Sequence, residues 1–248
     1  MTDIRYKLFQ VGGHVRDALM GVKSNDIDYT VVVENPEDFE NPSDAFAAFE
    51  SSIVAKGFKV FLSMPEVFTI RSKFPDSNEV ADFVLSRKES GFKEGTRLPE
   101  KVELGTLEDD LRRRDFTVNA MAFDEDGNLV DPFNGSDDLD MGLLKTPVSP
   151  EVSFNDDPLR IVRGLRFSVT RDFLMDSTLW EAISNFDVER FKTVSKERVS
   201  EELKKMFMHD TMLSMDVMFK LRAENNALYK VIFEDCGIRL MPTLKPKS

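Results

Sequence analysis

Short apolar segments rich in β-branched and aromatic residues alternate with polar turns through the first half of the chain. The segments whose pattern predicts strands are 8–11, 27–33, 58–62, 67–70 and 80–85. Between the second and third of them, residues 42–56 place apolar side chains at helical spacing, and Gly57 is a typical helix end. The pattern therefore predicts a mixed sheet with helices packed on it.

The second half of the chain has a different periodicity. From residue 150 to about residue 229 the apolar positions recur at helical spacing. Residues 86–106 are polar, with three glycines, one proline and no periodicity, which predicts a long loop. We place the change of domain near 146–153. The sequence thus predicts an α/β head at residues 1–148 and an all-helical region at residues 149–248.

Composition restricts the class of protein. With 248 residues, 41% hydrophobic and 31% charged, the chain is typical of globular proteins and long enough for an α/β domain and a smaller helical one. No apolar run is long enough for a membrane span, and residues 1–5 do not resemble a signal peptide. The single cysteine, Cys236, cannot form an internal disulfide. We therefore expect a cytoplasmic protein without a membrane contact or an obligatory protein partner.

The charge is strongly negative but unevenly distributed. The formal net charge is −12, which argues against extensive contact with nucleic acid. Residues 192–248, however, hold eleven Lys and Arg against eight Asp and Glu. Any RNA contact is therefore expected through local basic patches.

The first candidate site follows the first predicted strand. Gly12 and Gly13 precede a predicted helix at residues 15–20, and a glycine turn before a helix lets backbone amides approach a phosphate. Asp26 and Asp28 stand two apart at the start of the strand 27–33, so both carboxylates are expected on one side of it. Each feature alone is common in ordinary turns and strand ends. Together they predict a site for a nucleoside triphosphate with Mg²⁺.

Two further charged clusters follow. Residues 109–120 alternate acids with arginines, which suits either phosphate binding or an ordinary surface helix with ion pairs; taken alone, the surface helix is the better interpretation. In the second cluster, Asp157 precedes Pro158 as a predicted helix cap, and arginines recur every third residue at Arg160, Arg163 and Arg166. Each step of three turns about 60° around a helix, so the four charged residues form a slowly winding stripe. We interpret this stripe as an anion site, with an exposed basic helix as the alternative.

Taken in order, these clusters resemble the class II tRNA nucleotidyltransferase (CCA-adding enzyme) and bacterial poly(A) polymerase family, within the DNA polymerase beta-like nucleotidyltransferase superfamily. The matching pieces are Gly12-Gly13-x-Val15-Arg16-Asp17, Asp26-x-Asp28, Arg113-Arg114-Asp115-Phe116-Thr117-Val118-Asn119-Ala120, Asp131-Pro132-Phe133-x-Gly135 and Asp157-Pro158-Leu159-Arg160-x-x-Arg163-x-x-Arg166-Phe167. Residues 195–203 resemble the helical neck element of the family, and residues 87–99 resemble its flexible loop. The resemblance implies a polymerase beta-like α/β head followed by a helical neck and body.

The resemblance also implies roles for residues of the first cluster. Asp26 and Asp28 would be the catalytic carboxylates and the ligands of Mg²⁺ in a two-metal site. The Gly12–Gly13 turn and Arg16 would hold the triphosphate. Asp82, on the predicted strand 80–85, is a candidate third metal ligand, with an ordinary strand-edge aspartate as the alternative.

The remaining roles concern the nucleotide. By resemblance, Arg114 would contact the incoming nucleotide, Asp157 and Arg160 would read the base edge, and Arg163 and Arg166 would bind the nucleotide further. An aspartate can accept from the amino group of cytosine or adenine while an arginine donates to the ring nitrogen. Guanine or uracil would leave the same groups mispaired.

The implied activity is addition of C, C and A, from CTP and ATP, to the 3′ end of the tRNA acceptor stem without a nucleic-acid template. The alternatives are an A-adding enzyme, a small poly(A) polymerase, and a catalytically silent nucleotide- or RNA-binding protein of the same fold. The chain departs from the family pattern at Asp156, where the template motif usually has glutamate. It also has only about one hundred residues for neck and body, so how the helical part would bind RNA is left open.

Overall fold

The computed structural model of the protein describes residues 3–23, 27–77, 79–92 and 99–235. The described residues fall into two compact units, Met1–Met141 and Gly142–Ser248. Two residues singled out in the sequence, Asp26 and Cys236, lie outside the described residues, as does part of the segment 87–99. The assignment of residues 1–148 as a catalytic head and 149–248 as neck and body stays a prediction.

The first unit is built around a mixed sheet. Its strands are β1 (Tyr6–Val11), β2 (Ile27–Val33), β3 (Lys59–Met64), β4 (Thr69–Lys73), β5 (Val80–Leu85), β6 (Arg87–Phe92), β7 (Pro99–Leu104), β8 (Ala122–Phe123) and β9 (Leu129–Val130). Its helices are α1 (Gly13–Leu19), α2 (Pro42–Ala55), α3 (Leu107–Arg112) and α4 (Gly135–Asp140). Among the described residues the main sheet has the order β3-β4-β5-β2-β1-β8-β9, in which β2 and β5 are parallel and the other pairs antiparallel. The predicted mixed α/β fold is confirmed.

The two faces of this sheet differ in chemistry. One face packs against α2 through a core rich in phenylalanine, to which β2 contributes Val31 and Val33 and β5 contributes Phe83. Because successive side chains on a strand alternate between faces, Asp28 and Asp82 lie on the opposite face. On that opposite face a smaller apolar cluster forms between β1, β8 and α3. The sheet therefore separates the carboxylates from the phenylalanine core.

The predicted loop at residues 86–106 is wrong for the part of it that the structure describes. Strands β6 and β7 form an antiparallel two-stranded sheet, from the pair Arg87 and Leu104 to the pair Phe92 and Pro99. In β7, Val102 and Leu104 stand two apart and pack against the phenylalanine core. Two apolar positions in a polar segment are too few to identify a strand from the sequence pattern. Residues 93–98 between the strands lie outside the described residues.

The second unit is mainly helical, as predicted. Its helices are α5 (Pro150–Asp156), α6 (Leu159–Thr170), α7 (Ser177–Ser184), α8 (Val188–Phe191), α9 (Lys196–His209), α10 (Thr211–Glu224) and α11 (Asn226–Tyr229). Two short strands, β10 (Leu143–Leu144) and β11 (Leu174–Met175), pair in parallel. Of these, β11 lies within residues 149–248 and departs from the all-helical expectation for them. None of the helices in the described ranges is both long and apolar enough to cross a bilayer.

Serine, aspartate and asparagine caps explain where these helices begin. Ser149, Asp176, Ser195 and Asp210 each accept a backbone N–H of the first turn through the side chain. Such a cap satisfies one of the backbone donors that have no partner within the helix. The starts of these four helices are therefore set locally by the sequence.

The Asp131-Pro132-Phe133-x-Gly135 motif has a structural role in the first unit. The carboxylate of Asp131 accepts hydrogen bonds from the backbone amides of Gly135 and Ser136, at 2.8 and 2.9 Å. Gly135 packs directly on the backbone of Thr117, whose hydroxyl donates to the buried Asp138 at 2.7 Å. These contacts hold α4 against the segment that follows α3.

We predict that Gly135→Ala will strongly destabilise the protein. A Cβ at this position would lie 2.1 Å from the carbonyl oxygen of Thr117, so the backbone must shift. The expected loss in free energy of unfolding is about 3 kcal/mol, measured by chemical denaturation. Gly127→Ala is the control: φ is +81° there and nothing lies within 4 Å, so only backbone strain of about 1 kcal/mol is expected. Equal stability of the two variants would contradict the packing argument.

Candidate functional site

The turn after β1 brings three of the predicted site residues together. Gly12 has a φ of +74°, a conformation that favours glycine, and Gly13 begins α1. A Cβ on Gly12 would lie 2.8 Å from Nη1 of Arg114 and 3.8 Å from a carboxylate oxygen of Asp28. The missing side chain of Gly12 therefore leaves room for the guanidinium and the carboxylate to approach the turn.

Asp28 and Asp82 lie side by side on the same face of the sheet. They are directly paired on the parallel strands β2 and β5. Asp82 also pairs with Arg71 on β4, whose Nε and Nη2 each donate to one carboxylate oxygen at 2.5 Å. The sequence analysis did not single out Arg71. Its signal was the alternation of polar Thr69, Arg71 and Lys73 with Ile70 and Ser72, which are buried on the other face of the strand.

The paired carboxylates of Asp28 and Asp82, called the carboxylate row below, fit a magnesium ion by their donor chemistry. Mg²⁺ prefers a few carboxylate oxygens together with substrate phosphates. The residues that would hold it are Asp28, Asp82 and Asp26, of which Asp26 lies outside the described residues. Within the described ranges no group of three or more Asp, Glu, His or Cys residues forms a metal cage.

Arg114 is held by a buried carboxylate. Its Nη2 donates to Asp110 at 3.0 Å and to the Thr30 hydroxyl at 3.4 Å, and Thr30 itself donates to Asp110 at 2.8 Å. Asp110 is 3% exposed and also forms an ion pair with Arg113 at 3.5 Å. Burial alone would raise the pKa of Asp110, but the charges of Arg114 and Arg113 and the hydrogen bond from Thr30 outweigh it and hold the pKa below its ordinary value.

These contacts fix the direction of the Arg114 side chain. With Nη2 bound to Asp110 and Thr30, the other terminal nitrogen, Nη1, points to the Gly12 turn. Asp110 thereby holds the Arg114 side chain in one conformation. The sequence signal for this residue was its position four before Arg114, a spacing that brings side chains together on a helix.

Arg16 lies in a buried polar network. Its Nε and Nη2 donate to Asp17 at 3.0 and 2.7 Å, and its Nη1 donates to Asn119 at 2.5 Å. Asn119 in turn donates to Asp115 at 2.9 Å. The network ties α1 to the segment after α3, and both ends of it belong to motifs quoted above. A contact of Arg16 with a triphosphate stays a prediction.

In the second unit the predicted cap of α6 is present. Oδ1 of Asp157 accepts from the backbone amide of Leu159 at 3.1 Å, and its Oδ2 accepts from Arg198 on α9 at 3.1 Å. Arg160 donates to the hydroxyl and the carbonyl oxygen of Ser153 at 2.8 and 3.3 Å. Both residues of the expected base-reading pair are therefore oriented by partners within the unit.

The other two arginines of the stripe share one partner that the sequence reasoning missed. Glu202 on α9 is buried; it accepts a short hydrogen bond from Nε of Arg166 and pairs with Nη1 of Arg163 at 3.5 Å. The guanidinium of Arg166 also lies 4.2 Å from the centre of the Phe167 ring. Arg198 and Glu202 are four residues apart on α9, so this helix contacts three of the four residues of the stripe. Both lie in the segment 195–203 that resembles the family's neck element.

Each unit therefore carries a distinct chemical capability. In the first unit, the carboxylate of Asp28 and the guanidinium of Arg114 lie next to the Gly12 turn, and Asp82 lies beside Asp28. This arrangement is suited to a triphosphate with a divalent cation. In the second, a carboxylate and guanidinium groups held by buried or capping partners stand along one helix, an arrangement suited to hydrogen bonding with a planar polar ligand.

Comparison with known proteins gives consistent matches. Residues 8–145 match the family described as poly A polymerase head domain. The chain is 37% identical to tRNA nucleotidyltransferase cca2 of Schizosaccharomyces pombe over 205 residues, covering 79% of this chain and 42% of that protein. It is 34% identical to the CCA-adding enzyme of Staphylococcus epidermidis over 232 residues, covering 92% of this chain and 53% of that protein. The chain spans about half the length of these relatives.

Solved structures with the same fold include two complexes. The CCA-adding enzyme of Bacillus stearothermophilus in complex with CTP superimposes with a TM-score of 0.69 at 26% identity, covering 90% of this chain and 49% of that one. The Thermotoga maritima CCA-adding enzyme complexed with tRNA superimposes with a TM-score of 0.64 at 25% identity, covering 87% and 47%. The matches to known proteins thus extend over both units of the chain.

We predict that Asp110→Asn will lower the free energy of unfolding at neutral pH. It should also make the free energy of unfolding change less as the pH falls into the acid range. Without this carboxylate two arginines lose their buried counter-charge, and we expect a loss of about 2 kcal/mol in free energy of unfolding. Because the folded-state pKa of Asp110 is below its unfolded value of about 3.9, the wild type should lose this contribution as pH falls from about 4 through the folded-state value.

Denaturation curves between pH 7 and pH 2 measure both effects. Glu108→Gln, which removes an exposed carboxylate from the same helix, is the control and should leave the acid dependence unchanged. An Asp110→Asn variant whose stability falls with pH as steeply as that of the wild type would contradict the assignment.

Proposed function

This chain belongs to the poly A polymerase head domain family, and on that premise we propose that it is an RNA nucleotidyltransferase that adds C, C and A to tRNA 3′ ends. The observation that carries the proposal is the convergence of Gly12, Asp28 and Arg114 at one turn, with Asp82 beside Asp28. The names of the relatives and the CTP and tRNA complexes of the structural neighbours support the same reaction. The cytoplasmic location expected above belongs to this proposal.

The first unit would carry out the transfer. The 3′-hydroxyl oxygen of the RNA attacks the α-phosphorus of CTP or ATP. The bond between the α-phosphorus and the oxygen that bridges it to the β-phosphorus breaks, pyrophosphate leaves, and the hydroxyl proton is released. Asp26 and Asp28, with Asp82, would hold Mg²⁺, which supplies positive charge against the phosphates and the attacking oxygen when bound. Arg114 and the amides of the Gly12–Gly13 turn would orient the triphosphate, and Arg16 would support that turn or contact the phosphates.

The second unit would select the base. Asp157 would accept from the exocyclic amino group of cytosine or adenine while Arg160 donates to the ring nitrogen. Arg198 and Ser153 already orient these two side chains, so little conformational freedom has to be lost when a base binds. Arg163 and Arg166, held by Glu202, would bind the nucleotide further.

A transcript-extension assay tests the proposal. Transcripts of tRNA that end before CCA, or after CC, are incubated with Mg²⁺ and CTP, ATP or both, and the products are sized and sequenced. Addition of C, C and A that stops there supports the proposal. Long A tails would instead identify a small poly(A) polymerase, and use of ATP alone an A-adding enzyme. Binding without extension would identify a silent protein of this fold.

We predict that Asp28→Asn will reduce transfer by about 10³-fold or more while RNA and nucleotide binding without Mg²⁺ stay within about twofold of wild type. The change keeps the size of the side chain but removes the charge that would attract the cation. Asp26→Asn is expected to behave in the same way. Asp140→Asn, at an exposed position of α4, is the control. Transfer by Asp28→Asn at the wild-type rate would refute the assignment of Asp28 as a metal ligand.

We predict that Asp157→Ala will impair base choice more than triphosphate affinity. The preference for C and A over U and G should fall about tenfold, because the acceptor for the amino group is lost. Inhibition by pyrophosphate, which has no base, should change by less than about twofold. Asn155→Ala, an exposed change on the preceding helix, is the control. Unchanged incorporation ratios for the four nucleotides would contradict the role of Asp157.

A further inference from the structure

The two sides of the carboxylate row are occupied differently. Asp28 and Asp82 lie on β2 and β5, in the middle of the strand order. The Gly12 turn, which would hold the triphosphate, follows β1 on one side of them. On the other side come β4 and then β3, the last strand of the sheet among the described residues. The β3–β4 side of the sheet thus lies across the carboxylates from the Gly12 turn.

Positive charge is concentrated on that side. Lys59 on β3 and Lys73 on β4 are directly opposite each other. Arg71 lies on β4 two residues before Lys73. Ile70 and Ser72 are buried on the core face, so Arg71 and Lys73 lie on the face that carries Asp82. Like charges directly opposite each other destabilise an antiparallel pair. The two lysines thus form a local concentration of positive charge in a chain of net charge −12, which suits a polyanionic ligand.

Two exposed apolar side chains lie next to these cations. The pairing of β3 with β4 shifts by one residue between Val60 and Leu62, so Phe61 is an extra residue in the strand. Phe61 is 54% exposed and Leu62 40% exposed, and Leu62 is paired with Arg71. A bulge redirects side chains, and bulges are frequent next to active sites. An exposed aromatic ring beside lysines and an arginine is the composition of a surface that stacks the bases of single-stranded nucleic acid.

We propose that this β3–β4 patch (Lys59, Phe61, Leu62, Arg71 and Lys73) binds the single-stranded 3′-terminal nucleotides of the acceptor RNA. A terminal base stacks on Phe61 and Leu62, and the backbone phosphates lie against Lys59 and Lys73. The inference rests on the proposed function and adds to it the acceptor's binding surface.

The register of the sheet connects the patch to the reaction. Leu62, Arg71, Asp82 and Asp28 stand in one row across four neighbouring strands, so about 14 Å separates the ends of the row. A few nucleotides cover this distance, which brings the 3′-hydroxyl to the carboxylates from the side opposite the Gly12 turn. Arg71, which holds both oxygens of Asp82, acts as a positioning residue between the patch and the carboxylates. This continuity favours RNA over a peptide or a membrane as the occupant.

A binding experiment without turnover tests the patch. A tRNA transcript of the length that ends after CC carries 2-aminopurine in place of its final C, and its fluorescence is titrated with the full chain in the absence of CTP and ATP. Phe61→Ala should weaken binding about tenfold and abolish the stacking quench, since base–aromatic stacking contributes strongly to such sites. Phe61→Trp should bind within about twofold of wild type, and Phe61→Leu should behave as Phe61→Ala. Lys59→Gln should lower the slope of binding against salt by about one.

Matched controls separate the patch from general effects. Val54→Ala changes a side chain that is 53% exposed on α2, at the other face of the sheet, and should bind RNA as wild type does. In the extension assay, Phe61→Ala should raise KM for the transcript about tenfold and leave KM for CTP and ATP unchanged. Thermal melting checks that all variants fold alike.

The outcomes distinguish this inference from the proposed function. Wild-type affinity and quench in Phe61→Ala, or equal behaviour of Phe61→Leu and Phe61→Trp, would overturn the patch even if CCA addition is observed. Absence of a quench with the wild type would also overturn it. A quench that depends on Phe61 in a protein that transfers no nucleotide would support the patch and refute the proposed activity.

Discussion

The alternation of side chains along β2 is the constraint on which the rest of the first unit depends. Val31 and Val33 are anchored in the phenylalanine core, so the intervening residues face the other way. Asp28 and Thr30 are thereby placed opposite the core, where Thr30 reaches the buried Asp110. A slip of one residue would exchange the two sets and bury Asp28 among the phenylalanines. The apolar core thus determines where the candidate catalytic carboxylate lies.

Buried carboxylates orient arginines in both units. Asp110 fixes Arg114 in the first unit, and Glu202 contacts Arg163 and Arg166 in the second. Burying such a charge is costly by itself, and the cost is offset only when cations and hydrogen bonds surround it. The benefit is that the guanidinium groups hold one conformation before a ligand arrives, which reduces the entropy lost on binding.

Under the proposed function, the sheet would keep the two substrates on different surfaces around one set of carboxylates. The glycine turn and Arg114 lie towards β1, and the proposed acceptor patch lies towards β3. An in-line transfer needs the attacking hydroxyl and the leaving pyrophosphate on opposite sides of the phosphorus. The order of strands around Asp28 and Asp82 is consistent with that requirement.

The sequence by itself determined the features that depend on local contacts. The strands β2 and β5, the helix α2, the glycine turn and the cap of α6 by Asp157 were all predictable, because periodicity, turn chemistry and capping act over a few residues. The family motifs also singled out Arg16, Arg114 and the arginines of α6 before any contact was visible. Their individual roles in catalysis and binding stay predictions.

Only the tertiary structure decided the partners that are distant in the chain. Arg71 meets Asp82 because two strands pair in one register, and Glu202 meets Arg166 across 36 residues because α6 packs on α9. The β6–β7 ribbon replaced a predicted loop because its contact with the phenylalanine core rests on Val102 and Leu104, and two apolar positions are too few to identify a strand. Pairing between distant segments depends on the whole packed fold. The local periodicity of one sequence therefore does not predict which distant residues will pair.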